Sequence, residues 1–182
     1  MRRVKAIFMV ICIVFLAAGV SGCGKQETTN AEDDFKKGTR LFQDGKYEEA
    51  LKAYDSAVQG KPDYAAAWFY RGNTLSKLGR IPDAVDSFNK AIKYAPTIAQ
   101  SYYNKGIALV NMGKNEEALL AFDMTLAVDP KYMKAWANKG AVLNRLGRKA
   151  EAEQAFGKYR ELAGSGAAEP GAAFSGNSTA KK

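Results

Sequence analysis

One unit is written four times in this 182-residue chain, without an insertion or deletion between copies. Rows headed by Ala31, Ala65, Ala99 and Met133 share a 34-residue frame, and each of the first three runs its full length. Glycine stands at the eighth position (Gly38, Gly72, Gly106, Gly140) and again at the fifteenth (Gly45, Gly79, Gly113, Gly147). Alanine fills the twentieth (Ala50, Ala84, Ala118, Ala152) and an aromatic ring the twenty-fourth (Tyr54, Phe88, Phe122, Phe156). Pro62, Pro96 and Pro130 close the first three rows. A period of this length means an array in which each unit buries its apolar face against its neighbours.

Each row contains two helices. Trp68, Leu75 and Leu78, like Trp136, Leu143 and Leu146, fall on one helical stripe, so a row opens with an amphipathic helix A. The position-fifteen glycine ends it, because a left-handed residue costs glycine little. A second helix B follows, with alanine, the aromatic and a small residue (Ala57, Ala91, Thr125) as its packing stripe, and the row-closing proline stops it. Pro82 falls in the first turn of its helix, where a missing N–H is harmless.

These rows resemble the tetratricopeptide repeat on the strength of Trp68, Gly72, Leu75, Ala84, Phe88, Ala91 and Pro96 and their counterparts in rows three and four. The resemblance implies an all-α, right-handed α-solenoid of four helix-turn-helix repeats (31–64, 65–98, 99–132 and 133–163), with a concave groove lined by the A helices. It implies no single activity.

Residues 1–30 fall outside the repeats. Arg2, Arg3 and Lys5, an apolar run from Ala6 to Ala18 and the small residues up to Gly22 read as a secretory signal over residues 1–22. The alternative is an uncleaved span, for which that run is short of the roughly 17 residues a bilayer requires. Val20-Ser21-Gly22-Cys23 resembles a prokaryotic lipobox, which implies lipidation of Cys23 as the first mature residue and an extracytoplasmic location on the cell membrane or outer membrane. Residues 23–30 then form the lipidated cysteine and a tether. The other cysteine, Cys12, leaves with the signal, so no disulfide is expected.

The array ends at four rows. Row one carries Asp34 where inner rows place Trp68 or Tyr102, and helix B of row four carries Glu153 and Arg160 on the face a fifth repeat would need. Residues 164–182 are rich in Gly, Ala, Ser and Pro and lose all periodicity, so a disordered tail is expected. It contains a glycosylation sequon at Asn177.

Composition removes most chemistry. The chain has no histidine, and with both cysteines consumed the usual general base, metal ligands and thiol nucleophile are missing. The acids Glu49, Asp83, Glu117 and Glu151 share one repeat position at the start of helix B, where the helix dipole favours them. We expect no enzyme, no cofactor, no metal and no small-molecule substrate. Net charge is formally +8, and losing the signal removes three cations and no acids, leaving +5. Lys46, Arg80, Lys114 and Arg148 form a ridge after the position-fifteen glycines, facing either an anionic surface or, more simply, the helix dipole and the acids three residues on. A second row, Lys37, Arg71, Lys105 and Lys139, has stems long enough to cover apolar surface. The secretory signal argues against nucleic acid.

In the family that the rows resemble, specific helix A positions face the groove. Carried onto this chain they give Phe35, Phe42, Phe69, Tyr70, Asn73, Tyr103, Asn104, Lys134 and Asn138 as candidate groove residues, together with Lys77, Ile107 and Asn111. Aromatics crowd the first three rows, amides and cations the fourth. Such a surface suits an extended or helical peptide with an apolar stretch and an acidic end. The competing reading of the aromatics is packing between neighbouring helices. A carboxylate clamp of the chaperone-binding type is matched at Asn73, Asn104 and Lys134 but broken at Phe69 and Asn138. The sequence therefore points to a membrane-anchored adaptor that binds a protein segment during envelope complex assembly. A structural or self-associating envelope protein is the alternative.

Overall fold

The computed structural model describes residues 30–164, and among these it contains eight α-helices and no strand. They are α1 (Ala31–Gln43), α2 (Tyr47–Gly60), α3 (Ala65–Lys77), α4 (Ile81–Tyr94), α5 (Ala99–Asn111), α6 (Asn115–Val128), α7 (Met133–Arg145) and α8 (Lys149–Ala163). The expected signal, Cys23, most of the tether, nearly all of the expected tail and Asn177 lie outside the described residues.

Odd-numbered helices are the A helices and even-numbered ones the B helices, and each packs antiparallel on its chain neighbours. α1 also touches α3, and α3 touches α5, so the A helices make the inner layer of an α-solenoid and the B helices its outer layer. The turns within repeats all lie along one edge. The turns between repeats, and the start of α1, lie along the other. Asn30 caps α1, its Oδ1 accepting from the Glu32 amide at 3.2 Å.

Helix A ends the same way in every row. Gly45, Gly79, Gly113 and Gly147 take φ between 74° and 75°, and each lets the following amide reach back to the carbonyl five residues earlier, as Arg80 does to Leu75 at 2.9 Å. That closes the orphan carbonyls of the helix end in a Schellman motif. The position-eight glycine has a different cause. A Cβ on Gly72 or Gly106 would stand 2.6 Å from the ring of Phe88 or Phe122, so the two helices of a repeat approach closer than any side chain permits. Tyr54, Phe88 and Phe122 are accordingly buried, as are the four position-twenty alanines. Each such ring contributes about 1.5–3 kcal/mol by leaving water. Asp34, read as an end-cap residue, is only 7% exposed.

Candidate functional site: the concave groove

The groove is lined by the A helices, and its clearest hollow lies between repeats two and three. About 350 Å3 in volume, it is bordered by Phe42, Asn73, Lys77, Asn104, Ile107 and Asn111, with Ser76, Ala108 and the edge of Phe88 completing its wall. α3 and α5 supply the amides. Asn104 Nδ2 donates to Asn73 Oδ1 at 2.7 Å, a bond 31 residues apart in sequence that repeat periodicity makes local. It leaves the Asn73 amide nitrogen and the Asn104 amide oxygen as a donor and an acceptor side by side, the pair a peptide group requires. Lys77 adds a cation that has no ion pair among the described residues, and Phe42 and Ile107 add apolar walls.

The structure thus brings Phe42, Asn73 and Asn104 together with Lys77, Ile107 and Asn111, and places the other candidates elsewhere. Phe35 packs against Tyr64 (5.0 Å between centroids) and Tyr70 (5.5 Å), and Phe69 against Tyr70 (5.4 Å), so these four rings form a half-buried cluster joining repeats one and two. Tyr103 packs on Tyr132 at 5.0 Å and receives a hydrogen bond from Asn138 Nδ2 at 2.9 Å. Burial raises the Tyr103 phenol above its ordinary value, partly offset by that bond. Asn138 itself is only 2% exposed, and its Oδ1 has no donor. It underlies the groove surface instead of forming it. Lys134 is exposed on the first turn of α7 and does not border the hollow.

Other concavities occur on the outer face. The biggest, about 660 Å3, runs between α7 and α8 beside Trp136, Lys139, Gln154 and Lys158. The same crease recurs at the same repeat positions in rows one and three, so it is a by-product of packing A on B, not a site particular to one row.

The two cationic rows are largely satisfied internally. Arg80, Lys114 and Arg148 pair with Asp83, Glu117 and Glu151 at 2.6, 3.0 and 2.6 Å, which answers the ridge without a ligand. The hydrogen bond between the last two holds Arg148 above and Glu151 below their ordinary values. Arg71 lies over the Trp68 ring and pairs with Asp55 at 2.6 Å, and Lys139 lies over Trp136 and pairs with Asp123 at 2.6 Å. These cations tie one repeat to the preceding one. The spacing placed them on one stripe but could not assign these partners.

Comparison with known proteins agrees with the architecture. The tetratricopeptide repeat family signature matches residues 35–99 and 103–167. No curated protein sequence matches the chain. A crystal structure of MamA superposes with a TM-score of 0.74 at 23% identity, covering 75% of this chain and 80% of that one. MamA 41-end from Desulfovibrio magneticus RS-1 gives 0.70 at 24%, covering 76% and 78%. The first TPR of Spaghetti (RPAP3), bound to the HSP90 peptide SRMEEVD, gives 0.63 at 22%, covering 66% and 96%. At these identities the likeness is one of fold. The chain belongs to the tetratricopeptide repeat family.

Proposed function

We propose that this tetratricopeptide repeat protein is a membrane-anchored, non-catalytic adaptor, held by lipid on Cys23 at the extracytoplasmic side and binding a segment of a partner protein in its groove during envelope complex assembly. The observation that carries the groove reading is the hollow between repeats two and three, where a paired amide donor and acceptor sit beside Lys77 between the apolar walls of Phe42 and Ile107. An extended peptide would set a backbone amide on Asn73 and Asn104, an apolar side chain between Phe42 and Ile107, and a carboxylate near Lys77. Phe69 and Tyr70 extend the apolar wall towards repeat one. Phe35, Tyr103 and Asn138 act by holding that wall in place, and Lys134 offers a second cation at the far end. A neighbour of the same fold, the RPAP3 domain, is bound to an acidic-ended peptide, which supports this mode of binding.

The test uses residues 24–182 as bait for an envelope extract, beside an Asn73→Ala, Asn104→Ala double variant of unchanged helicity. Partners held by the parent and lost by the variant are the expected result. Equal capture by both removes the groove from the function. The anchor is checked separately by the intact mass of the protein purified from membranes, which should begin at a diacylglyceryl Cys23. Any other start, or an unmodified Cys23, ends that part of the reading.

A further inference from the structure

The two long edges of the solenoid differ in what they expose. Seven large apolar side chains stand out among the described residues. Tyr94, Ile98, Val128 and Met133 lie at the turns between repeats, Ile98 being 42% exposed. Met124 and Leu120, 47% and 67% exposed, continue up α6 from Val128 at one-turn intervals. Only Met112 lies at the opposite edge. Cations divide the same way. On the edge of the within-repeat turns, Arg80, Lys114 and Arg148 are paired with acids. On the edge of the between-repeat turns, Lys61, Lys93, Lys131 and Lys134 are exposed and none is ion-paired among the described residues, against Asp63 and Asp129 on the same turns and Glu32 and Asp33 at the start of α1.

Apolar side chains along one edge and up the adjoining face of α6, flanked by tyrosine and by lysines with long stems, match the chemistry of an anionic bilayer surface. We propose that the between-repeat edge, with the lower half of α6, rests on an anionic lipid surface and fixes the solenoid upright on the membrane. The inference rests on the anchor at Cys23, and the chain length makes the two consistent. α1 begins at this same edge, and the seven peptide links from Cys23 to Asn30 reach at most about 25 Å, so a lipid on Cys23 holds this edge within that distance of the headgroups.

The chain's two tryptophans, Trp68 and Trp136, lie in the first turns of α3 and α7 at this edge and report on it directly. The protein, purified with its anchor, is reconstituted into phosphatidylglycerol–phosphatidylcholine vesicles whose acyl chains carry bromine. Tryptophan emission should fall by at least half relative to unbrominated vesicles. In an Ile98→Asp, Met133→Asp variant with the same anchor and the same helical signal, at least four-fifths of that quenching should be lost, whereas Met112→Asp should retain it. A parent that stays with the vesicles but is not quenched overturns the orientation and leaves the anchor standing. A parent that leaves the vesicle fraction overturns both. Equal quenching in the double variant also overturns the proposal, as does a lipid-free dimer abolished by the same two substitutions, which would assign the edge to a second copy of the chain.

Discussion

The junction between repeats two and three is built differently from the junctions on either side of it. At the first junction Trp68 Nε1 donates to the Pro62 carbonyl at 2.8 Å and Arg71 bridges back to Asp55. The third repeats the arrangement with Trp136 on Pro130 at 2.9 Å and Lys139 on Asp123. At the middle junction the equivalent residues are Tyr102, Lys105 and Asn89, and neither clamp is present. What spans it on the inner face is the Asn104–Asn73 bond, and there the hollow opens. A sequence periodic in register is thus not periodic in its side-chain bonds, and the candidate ligand site coincides with the seam that lacks both clamps.

The largest test of that contrast is truncation of the clamp. Trp136→Ala should cost about 3 kcal/mol in denaturant unfolding, through the lost ring and the lost bond to Pro130, whereas Tyr102→Ala should cost roughly 1 kcal/mol. Equal losses would erase the distinction. On the inner face, Tyr103→Phe should cost about 1–2 kcal/mol because it leaves the Asn138 amide buried without a partner, while Asn104→Ala, whose partner Asn73 still meets water, should cost about half that. The phenol also predicts a pH effect. Because burial raises Tyr103, its neutral form is favoured in the folded state, so this stabilisation is present below the ordinary tyrosine value of 10.0 and is lost as pH rises through the raised folded one. Tyr103→Phe should therefore unfold less steeply with alkali than the parent, with Tyr54 and Tyr132, raised likewise by burial, supplying the residual slope. A slope unchanged from the parent would take Tyr103 out of that account. The smallest effect is a gain. Asn89→Asp supplies the carboxylate that Lys105 lacks and should add at most about 0.5 kcal/mol, vanishing in high salt. A stabilisation independent of salt would mean that something other than the ion pair had formed.

The solenoid was legible because glycine and proline mark the ends of its helices. Gly79 predicts where α3 ends and Pro96 where α4 must stop, and neither depends on tertiary context. The groove was legible only in part. The family resemblance places Phe35, Asn73, Tyr103 and Asn138 on the inner side of helix A, but depth and rotamer decide which of them meets solvent. Tyr103 turns onto Tyr132 and pulls Asn138 beneath it, while Asn73 and Asn104 bond to each other and stay part-exposed at the hollow. The clamps were written in the sequence as a tryptophan and an aspartate that recur in alternate rows. Their meaning needed the bonds, since nothing in a 34-residue frame says that position seven of one row meets position twenty-five of the row before.

The contact between the position-eight glycine and the ring in the same repeat has a consequence for shape. Helix A and helix B are separated by the thickness of an aromatic ring and nothing more, so the angle of every hairpin is set by a missing methyl group. Curvature accumulates along a stack. An alanine at Gly38, Gly72, Gly106 and Gly140 together would open four wedges in the same sense, and the array would unbend as a whole, flattening the groove without altering one residue that faces it.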